Sequence, residues 1–447
     1  MKSDKNNRIR WGKRHWSTFV ENPNLFSLSL LFYRLFCWIY PVLLGLAAPF
    51  HPKAQAWVKG RKDIFKRLER IQGNAPLVWM HCASLGEFEQ GRPVLESIRK
   101  QYPNYKILLT FFSPSGFEHQ KNYSGADFVE YLPMDGPRTA KRFIEFVDPK
   151  LVIFVKYEFW FYYLKKLHYR NIPLLLISAY FRPEMSFFRW YGKLPRKMLS
   201  RFDHIFVQDD PSQRLLHDVD ISSNVEVAGD TRFDRVVEIA ASNNKIEGSE
   251  LFPPNSRSII VGSSWPADEQ LWASVRPWTH STGIRLIVVP HELSSAHIDS
   301  LFKLFPGAQK YSEILQDNRF ESDVLIVDRI GLLAKLYRFG WVNFVGGGFN
   351  AGGVHNVLEA AVFGRPVITG PRVEKYREAL ELSAANGSIS LPIDNAAEAL
   401  QKLLAEWDQD ESLAIDMGRN AGEYVRKRTG AVQRILAYIQ ENRLLTN

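Results

Sequence analysis

Ten short runs of apolar residues constrain this chain more than any other feature. They are Leu77–Met80, Ile107–Phe112, Leu151–Val155, Leu174–Ile177 and His204–Val207, then Ser258–Val261, Arg285–Val289, Val324–Val327, Val342–Val345 and Pro366–Thr369. Each is four to six residues long and apolar on both faces. A strand with one face in water alternates apolar and polar residues; a strand covered on both faces does not, and strands of that kind belong to parallel sheets. Helix-like segments such as Glu87–Gln101, Thr139–Phe146 and Val354–Phe363 fall between the runs, and Ala397–Glu406 and Gly418–Asn442 follow them. This is the β-α-β order of a doubly wound sheet. The polar stretch from Gln208 to Asn224 reads as a crossing between two such units.

The expected fold class is therefore α/β, with two doubly wound, Rossmann-like domains facing a cleft. The predicted segments are a polar basic extension over 1–24, a membrane-associating segment over 25–70, and an N-terminal acceptor-side domain over 71–215. A C-terminal nucleotide-sugar-binding domain follows over 225–420, and a last helix over 421–447 packs back on the first domain. Ligands of such sheets bind beyond the carboxyl ends of the strands, so the loops there carry the functional reading.

Charge separates the first seventy residues from the rest. They hold fourteen Lys and Arg against four Asp and Glu, while the other 377 residues hold 43 against 44. A net charge of +9 on the whole chain thus says little about the body, and nucleic-acid binding is not expected there. Within the basic segment, Leu25 to Phe50 contains a single charge, Arg34, and the uncharged run Leu35 to Phe50 is 16 residues. That is just short of the roughly 18 residues of a clear spanning helix. Basic residues flank it on both sides, which fits a segment dipping into one leaflet of an anionic membrane. The late start of the run and its lack of a small-residue cleavage site speak against a cleaved signal peptide. The alternative is a buried helix followed by a solvated basic one. Two cysteines exclude a disulfide framework and a Cys-rich zinc site.

Several loops can carry chemistry. After Leu77–Met80 comes His81-Cys82-Ala83-Ser84-Leu85-Gly86-Glu87, where Ser84 and Glu87 have capping-box spacing. The same Glu87 at a strand-to-helix turn can serve as a general base toward a hydroxyl. Ser113-Pro114-Ser115-Gly116 can hold an anion or simply cap a helix. Lys156-Tyr157-Glu158 crowds a cation and an acid at a strand end, an arrangement that needs pairing or use. From Phe181 to Phe202, Arg182, Arg189 and further basic residues interleave with aromatics, as in a solvated face or an acceptor platform for phosphates at a lipid boundary. In the second half Gly346-Gly347-Gly348 leads to Asn350, Gly352, Gly353 and Val354-His355-Asn356-Val357-Leu358-Glu359. Glycines there let backbone approach a phosphate or ribose, and Asn356 and Glu359 share a helix face. Gly262-Ser263-Ser264-Trp265 and Pro290-His291-Glu292 are two further strand-end loops. No metal-ligand spacing, P-loop or dinucleotide fingerprint is present.

Taken in order, these motifs resemble the Kdo (3-deoxy-D-manno-octulosonic acid) transferases of lipid A assembly, inverting glycosyltransferases of the GT-B fold. The resemblance runs from about residue 26 to 430. It is carried by the stretches at 81–87, 157–160, 229–234 (G-D-T-R-F-D), 262–269 (G-S-S-W-P-A-D-E), 289–292 and 346–361. It implies transfer of Kdo from CMP-Kdo to a lipid A precursor of the lipid IVA type, without cofactor or metal, on the cytoplasmic face of the bacterial inner membrane. By that likeness Glu87 is the catalytic base. Glu158 serves the acceptor side, with Lys156, Arg182 and Arg189 placed there too. Ser263, Ser264, His291, Arg232, Gly347, Gly348, Asn356 and Glu359 hold the donor. The chain departs from the family pattern at Lys156, where an acidic residue is usual, at Pro290-His291-Glu292 in place of P-R-H, and at Arg232 in place of Lys. Two other readings fit the same fold: a GT-B enzyme using a UDP-sugar, and a non-catalytic sugar-nucleotide or lipid-binding protein.

Overall fold

A computed structural model describes residues 23–447 except 72, 74, 223, 243–245, 249–251, 253–256 and 447, with side chains from residue 28 onward. The first twenty-two residues of the basic extension lie outside the described residues. The chain forms two seven-stranded sheets, and every strand pair in them is parallel. The first contains β1 (Leu77–Cys82), β2 (Lys106–Phe111), β3 (Phe128–Tyr131), β4 (Leu151–Val155), β5 (Leu174–Ala179), β6 (His204–Val207) and β7 (Val225–Val227), in the order 3-2-1-4-5-6-7. The second contains β8 (Ser258–Ser264), β9 (Arg285–Pro290), β10 (Gln309–Lys310), β11 (Val324–Ile326), β12 (Val342–Val345), β13 (Val367–Thr369) and β14 (Ser388–Ser390), in the order 10-11-9-8-12-13-14.

Apolar strands are the reason both sheets sit at the centre of their layers. All five residues of β4 are fully buried, as are the side chains of Ile259, Ile260 and Val261 in β8. Each sheet has a core cluster on either face, built from alternate residues of the same strands: Trp79, Val152 and Phe154 on one side of the first sheet, Val78, Met80 and Ile153 on the other.

Three readings of the sequence are corrected. Gln208–Asn224 is not a domain crossing: it contains a helix, Asp210–His217, capped by the Asp209 carboxylate, and leads into β7 at the edge of the first sheet. Its polar residues are the solvated face of an edge helix. The segment Val354–Phe363 is helical only over Leu358–Ala361, because Gly353 (φ +84°) and the residues after it remain a loop. Gly418–Asn442 is two helices, Glu411–Arg426 and Ala431–Glu441, split at Gly430 with φ +107°. The last helix packs Ala431, Ile435 and Ile439 onto the core of the first domain. Strands β3, β7, β10 and β14 were not apparent in the sequence; all four are the end strands of their sheets, and the two-residue β10 has no apolar run at all.

The helix Pro23–Ala47 has two unlike faces. Leu28–Ala47 is long and apolar enough to cross a membrane by length and composition. Leu31, Phe32, Leu35, Trp38, Leu43 and Leu46 are exposed, at spacings that fall on one side of the helix. The other side is docked on the first domain. Tyr33 donates to the Asp135 carboxylate at 2.5 Å, Arg34 donates to the Tyr162 hydroxyl at 2.5 Å, and Tyr40 packs on Trp57 and Phe112. The single charge in the apolar run is thus spent on the protein.

Candidate active site

Strand order changes direction between β1 and β4 in the first sheet and between β8 and β12 in the second. The loops on either side of such a point splay apart and leave a crevice. Glu87 follows β1, Lys156 and Glu158 follow β4, Ser263 and Ser264 end β8, and the glycine loop follows β12.

Ser84 begins the helix Leu85–Gln101 with extended backbone, but its hydroxyl makes no capping bond. The Glu87 carboxylate instead reaches back to the Ala83 N–H at 2.5 Å. Neither bond of the reciprocal capping box expected for this pair is formed, and one Glu87 oxygen is left to the cleft. Glu87 lines a cavity of about 470 Å³ that also touches Lys156, Tyr157, Arg232, Asn356 and Glu359. Burial pushes its carboxyl up to about 8, and the neighbouring Glu158 adds to the rise; the Ala83 N–H and Lys156 oppose it.

Glu158 does not line that cavity. It is buried, and one oxygen receives the Trp160 indole N–H at 2.7 Å and lies 2.8 Å from His81 Nε2. Lys156 has φ +65°, a conformation that strains any residue other than glycine and that is concentrated at functional sites. Burial and the nearby Arg232 hold its ammonium below the usual lysine range.

The second domain supplies backbone and amides. Gly347 has φ +90°, and a side chain at Gly348 would come within 2.7 Å of the Gly370 backbone. Asp268, fully buried, accepts the N–H groups of Trp265 and Gly347 at 2.9 Å each, tying the loop after β8 to the loop after β12. Burial raises its carboxyl to about 6. Asn356 donates to Glu359 at 3.0 Å, so the two do act as one unit. Ser263, the last residue but one of β8, has φ +50° and lines neither cavity of the cleft, whereas Ser264 is buried and donates to Glu269 at 2.9 Å. His291 stacks on both Trp265 (4.7 Å) and His355 (4.5 Å), and beneath it Trp265 Nε1 donates to His355 Nε2 at 2.9 Å. Burial and the neighbouring His291 push the His355 imidazole down to about 4.

A second cavity, of about 540 Å³, joins the first at Lys156, Tyr157 and Arg232. Arg182 lines it; Arg189 does not, and its Nε donates weakly to the Glu184 carbonyl. Arg232 is held by two bonds to Asp230 and one to Glu378, and Arg377 pairs with Asp209 across the two domains. Among the described residues no group of three or more His, Cys, Asp or Glu can hold a metal ion.

Residues 60–235 match the model of the 3-deoxy-D-manno-octulosonic-acid transferase (kdotransferase) family. The 3-deoxy-D-manno-octulosonic acid transferase of Aquifex aeolicus (strain VF5) is 30% identical over 349 residues, covering 76% of this chain and 90% of that protein. The chain belongs to the Kdo transferase family. A further relative of the same name, from Haemophilus influenzae, is 25% identical over 82% of this chain and 88% of its own length. Among solved structures, UDP-GlcNAc 2-epimerase from Neisseria meningitidis aligns with a TM-score of 0.56 at 15% identity, over 82% of this chain and all of the other. MurG from Acinetobacter baumannii aligns at 0.52 and 12% identity, over 82% and 99%. These likenesses show the GT-B fold, and family membership makes the chain a glycosyltransferase of Kdo.

Several residues of this candidate site escaped the sequence reading. Asp268, His355 and Trp265 lay inside quoted motifs but received no role, because a loop-to-loop staple and a ring stack depend on contacts between separate strands. The interdomain pair Arg377–Asp209 has no local signal at all. The Phe181–Phe202 segment proves divided: Arg196 and Arg201 bond backbone carbonyls, Phe187 is buried, and Trp190 and Tyr191 are exposed.

Proposed function

We propose that this Kdo transferase uses CMP-Kdo as donor and a lipid A precursor of the lipid IVA type as acceptor, in an inverting, metal-independent reaction with Glu87 as general base. The observation that carries this reading is a carboxylate at the end of β1 sharing one cavity with Asn356 and Glu359 from the opposite domain. Glu87 takes the proton of the acceptor hydroxyl. The hydroxyl oxygen forms a bond to the anomeric carbon as the bond from that carbon to the phosphate oxygen breaks, and CMP leaves with the electron pair. Glu359 and Asn356 take ribose hydroxyls, the backbone of Gly347 and Gly348 takes the phosphate, and His291 lies at the base. Lys156 and Arg232 offset the charge that builds on the leaving phosphate. A base near pH 8 in reach of the cleft suits proton removal from a sugar hydroxyl better than an ordinary carboxylate would.

The acceptor-side domain, placed over 71–215 from the sequence, is extended to take in β7 (Val225–Val227); the donor-side domain follows it and includes the helix Glu411–Arg426, and of the segment 421–447 the helix Ala431–Glu441 returns to the first domain. Arg182, at the second cavity, is assigned to acceptor anions; Arg189, outside it, is assigned to the membrane-side surface with Trp190. The exposed face of helix Pro23–Ala47 supports monotopic attachment to the cytoplasmic face of the inner membrane, since a helix docked through Tyr33, Arg34 and Tyr40 presents only one side to lipid. Incubation of the purified chain with CMP-Kdo and a tetraacylated lipid A precursor tests the reading. Kdo-modified lipid and free CMP are expected; intact CMP-Kdo with no modified lipid would refute it.

A further inference from the structure

Beneath the cleft, four side chains form an unbroken hydrogen-bond chain that the transfer scheme leaves unused. Trp79 Nε1 lies 2.8 Å from Thr110 Oγ1, Thr110 Oγ1 lies 2.8 Å from His81 Nδ1, and His81 Nε2 lies 2.8 Å from Glu158 Oε2. Trp79, Thr110 and His81 are fully buried, on the neighbouring strands β1 and β2. In such a setting the direction of each proton has consequences.

The direction can be read from the donor inventory. An indole N–H only donates, so the Thr110 oxygen accepts from Trp79 and its own proton must go elsewhere. Its choices are His81 Nδ1 at 2.8 Å or the Met80 carbonyl at 3.5 Å. The shorter contact wins, which makes Nδ1 an acceptor. A neutral imidazole then carries its proton on Nε2 and donates it to Glu158. The competing arrangement, Nδ1–H donating to the Thr110 carbonyl at 3.1 Å, would present a bare Nε2 lone pair to Glu158 and force that carboxyl to hold the proton.

We propose that His81 is a positioning residue of the transfer reaction: fixed in its Nε2–H form by the Trp79–Thr110 relay, it keeps Glu158 a carboxylate behind the cleft. This rests on the reading of Glu87 as base, and it explains what Glu158 does without touching the cavity. Glu158 supplies a fixed negative charge that raises the proton affinity of Glu87. The groups that face Glu87 are Glu158, which opposes its ionisation, Lys156, which favours it, and Cys82 and Tyr157, whose own ionisation Glu87 opposes. Those that face Glu158 are His81, Cys82 and Glu87.

The test uses the full chain, with CMP-Kdo and lipid A precursor as substrates. Thr110→Val removes the hydroxyl at nearly constant volume; His81 then turns its Nδ1–H to the Thr110 carbonyl and Glu158 is neutralised. The midpoint of kcat against pH should fall by roughly one unit, the same direction and size as for Glu158→Gln, while Thr110→Ser keeps the wild-type midpoint. Independently of turnover, nitrogen-15 spectra of imidazole-labelled protein, with His81→Gln for assignment, should show His81 as the Nε2–H tautomer. An Nδ1–H or doubly protonated His81 overturns the proposal, as does a folded Thr110→Val with an unmoved midpoint. If Thr110→Val does not fold, the tautomer measurement and Thr110→Ser still decide. If Glu87→Gln retains turnover, the base reading fails, and the tautomer result still stands or falls on its own.

Discussion

The two edges of the cleft are built from the same parallel sheet geometry and furnished in different ways. The edge after β1 and β4 is titratable: Glu158 and Lys156 both act on the Glu87 carboxyl, Glu87 acts on the Lys156 ammonium, and Lys156 sits in a strained backbone conformation. The edge after β8 and β12 is largely backbone, shaped by Gly347 and Gly348 and stapled by the buried Asp268. One side holds charges poised to change; the other is a cradle whose polar groups are already fixed. The contrast implies that chemistry and donor binding can be damaged separately.

The largest expected effect is on the first edge. Glu87→Gln should lower kcat by about 10³-fold, within the usual range for a general base, while CMP affinity measured by calorimetry stays within about threefold. Comparable loss of both would mean that the two edges do not divide the work. On the second edge, Glu359→Ala should weaken CMP binding by about 10- to 100-fold, the cost of losing bonds to a charged group, and change kcat at saturating donor far less. Gly348→Ala comes next: its new methyl meets Gly370 backbone at 2.7 Å, so a loss of about 1–3 kcal/mol in unfolding free energy is expected, with weaker CMP binding.

The pH dependence sharpens the comparison further. With the Glu87 carboxyl near 8, kcat should rise with pH through about 8 and be lost progressively below it. Asp268, near 6, is the corresponding group on the other edge, and its protonation should weaken CMP binding below about pH 6 without moving the kcat limb. The smallest effect is on stability. A carboxyl raised in the folded state favours folding most below its unfolded value and loses that contribution as pH rises toward the folded value. Glu87→Gln, which cannot ionise, should therefore melt about 2 °C higher than the wild type at pH 9 and no higher at pH 4.

Much of the fold was legible because burial on both strand faces writes a continuous apolar run. β4, β6 and β12 have the limits read from the sequence, β2 is shifted by one residue at both ends, and the other strands read from the sequence differ at one end by one to three residues. Edge strands such as β7 and β14 were missed because half of their surface faces water and their residues are correspondingly mixed. The polar crossing at 208–224 was misread for the same reason, and the helix breaks at 353 and 430 turn on single glycines whose backbone sign no periodicity reports.

The site was legible in parts. Glu87, the glycine loop and the Asn356–Glu359 pair were each visible as a local pattern at a strand end. The meeting of Glu87 with Asn356 and Glu359 in one cavity was not, because it follows from strand order and from the approach of two domains, and both are long-range. Glu158 shows the difference most plainly. In sequence it is one carboxylate in Lys156-Tyr157-Glu158; in the fold it is turned inward onto His81 and Trp160, away from the cavity. The N-terminal helix makes the same point. Its apolar length is a property of the sequence, but which face remains for lipid was decided by the partners that Tyr33, Arg34 and Tyr40 find on the domain beneath. Local composition determines which elements form and which groups they carry. Burial and approach, which set the charge and direction of those groups, belong to the tertiary structure alone.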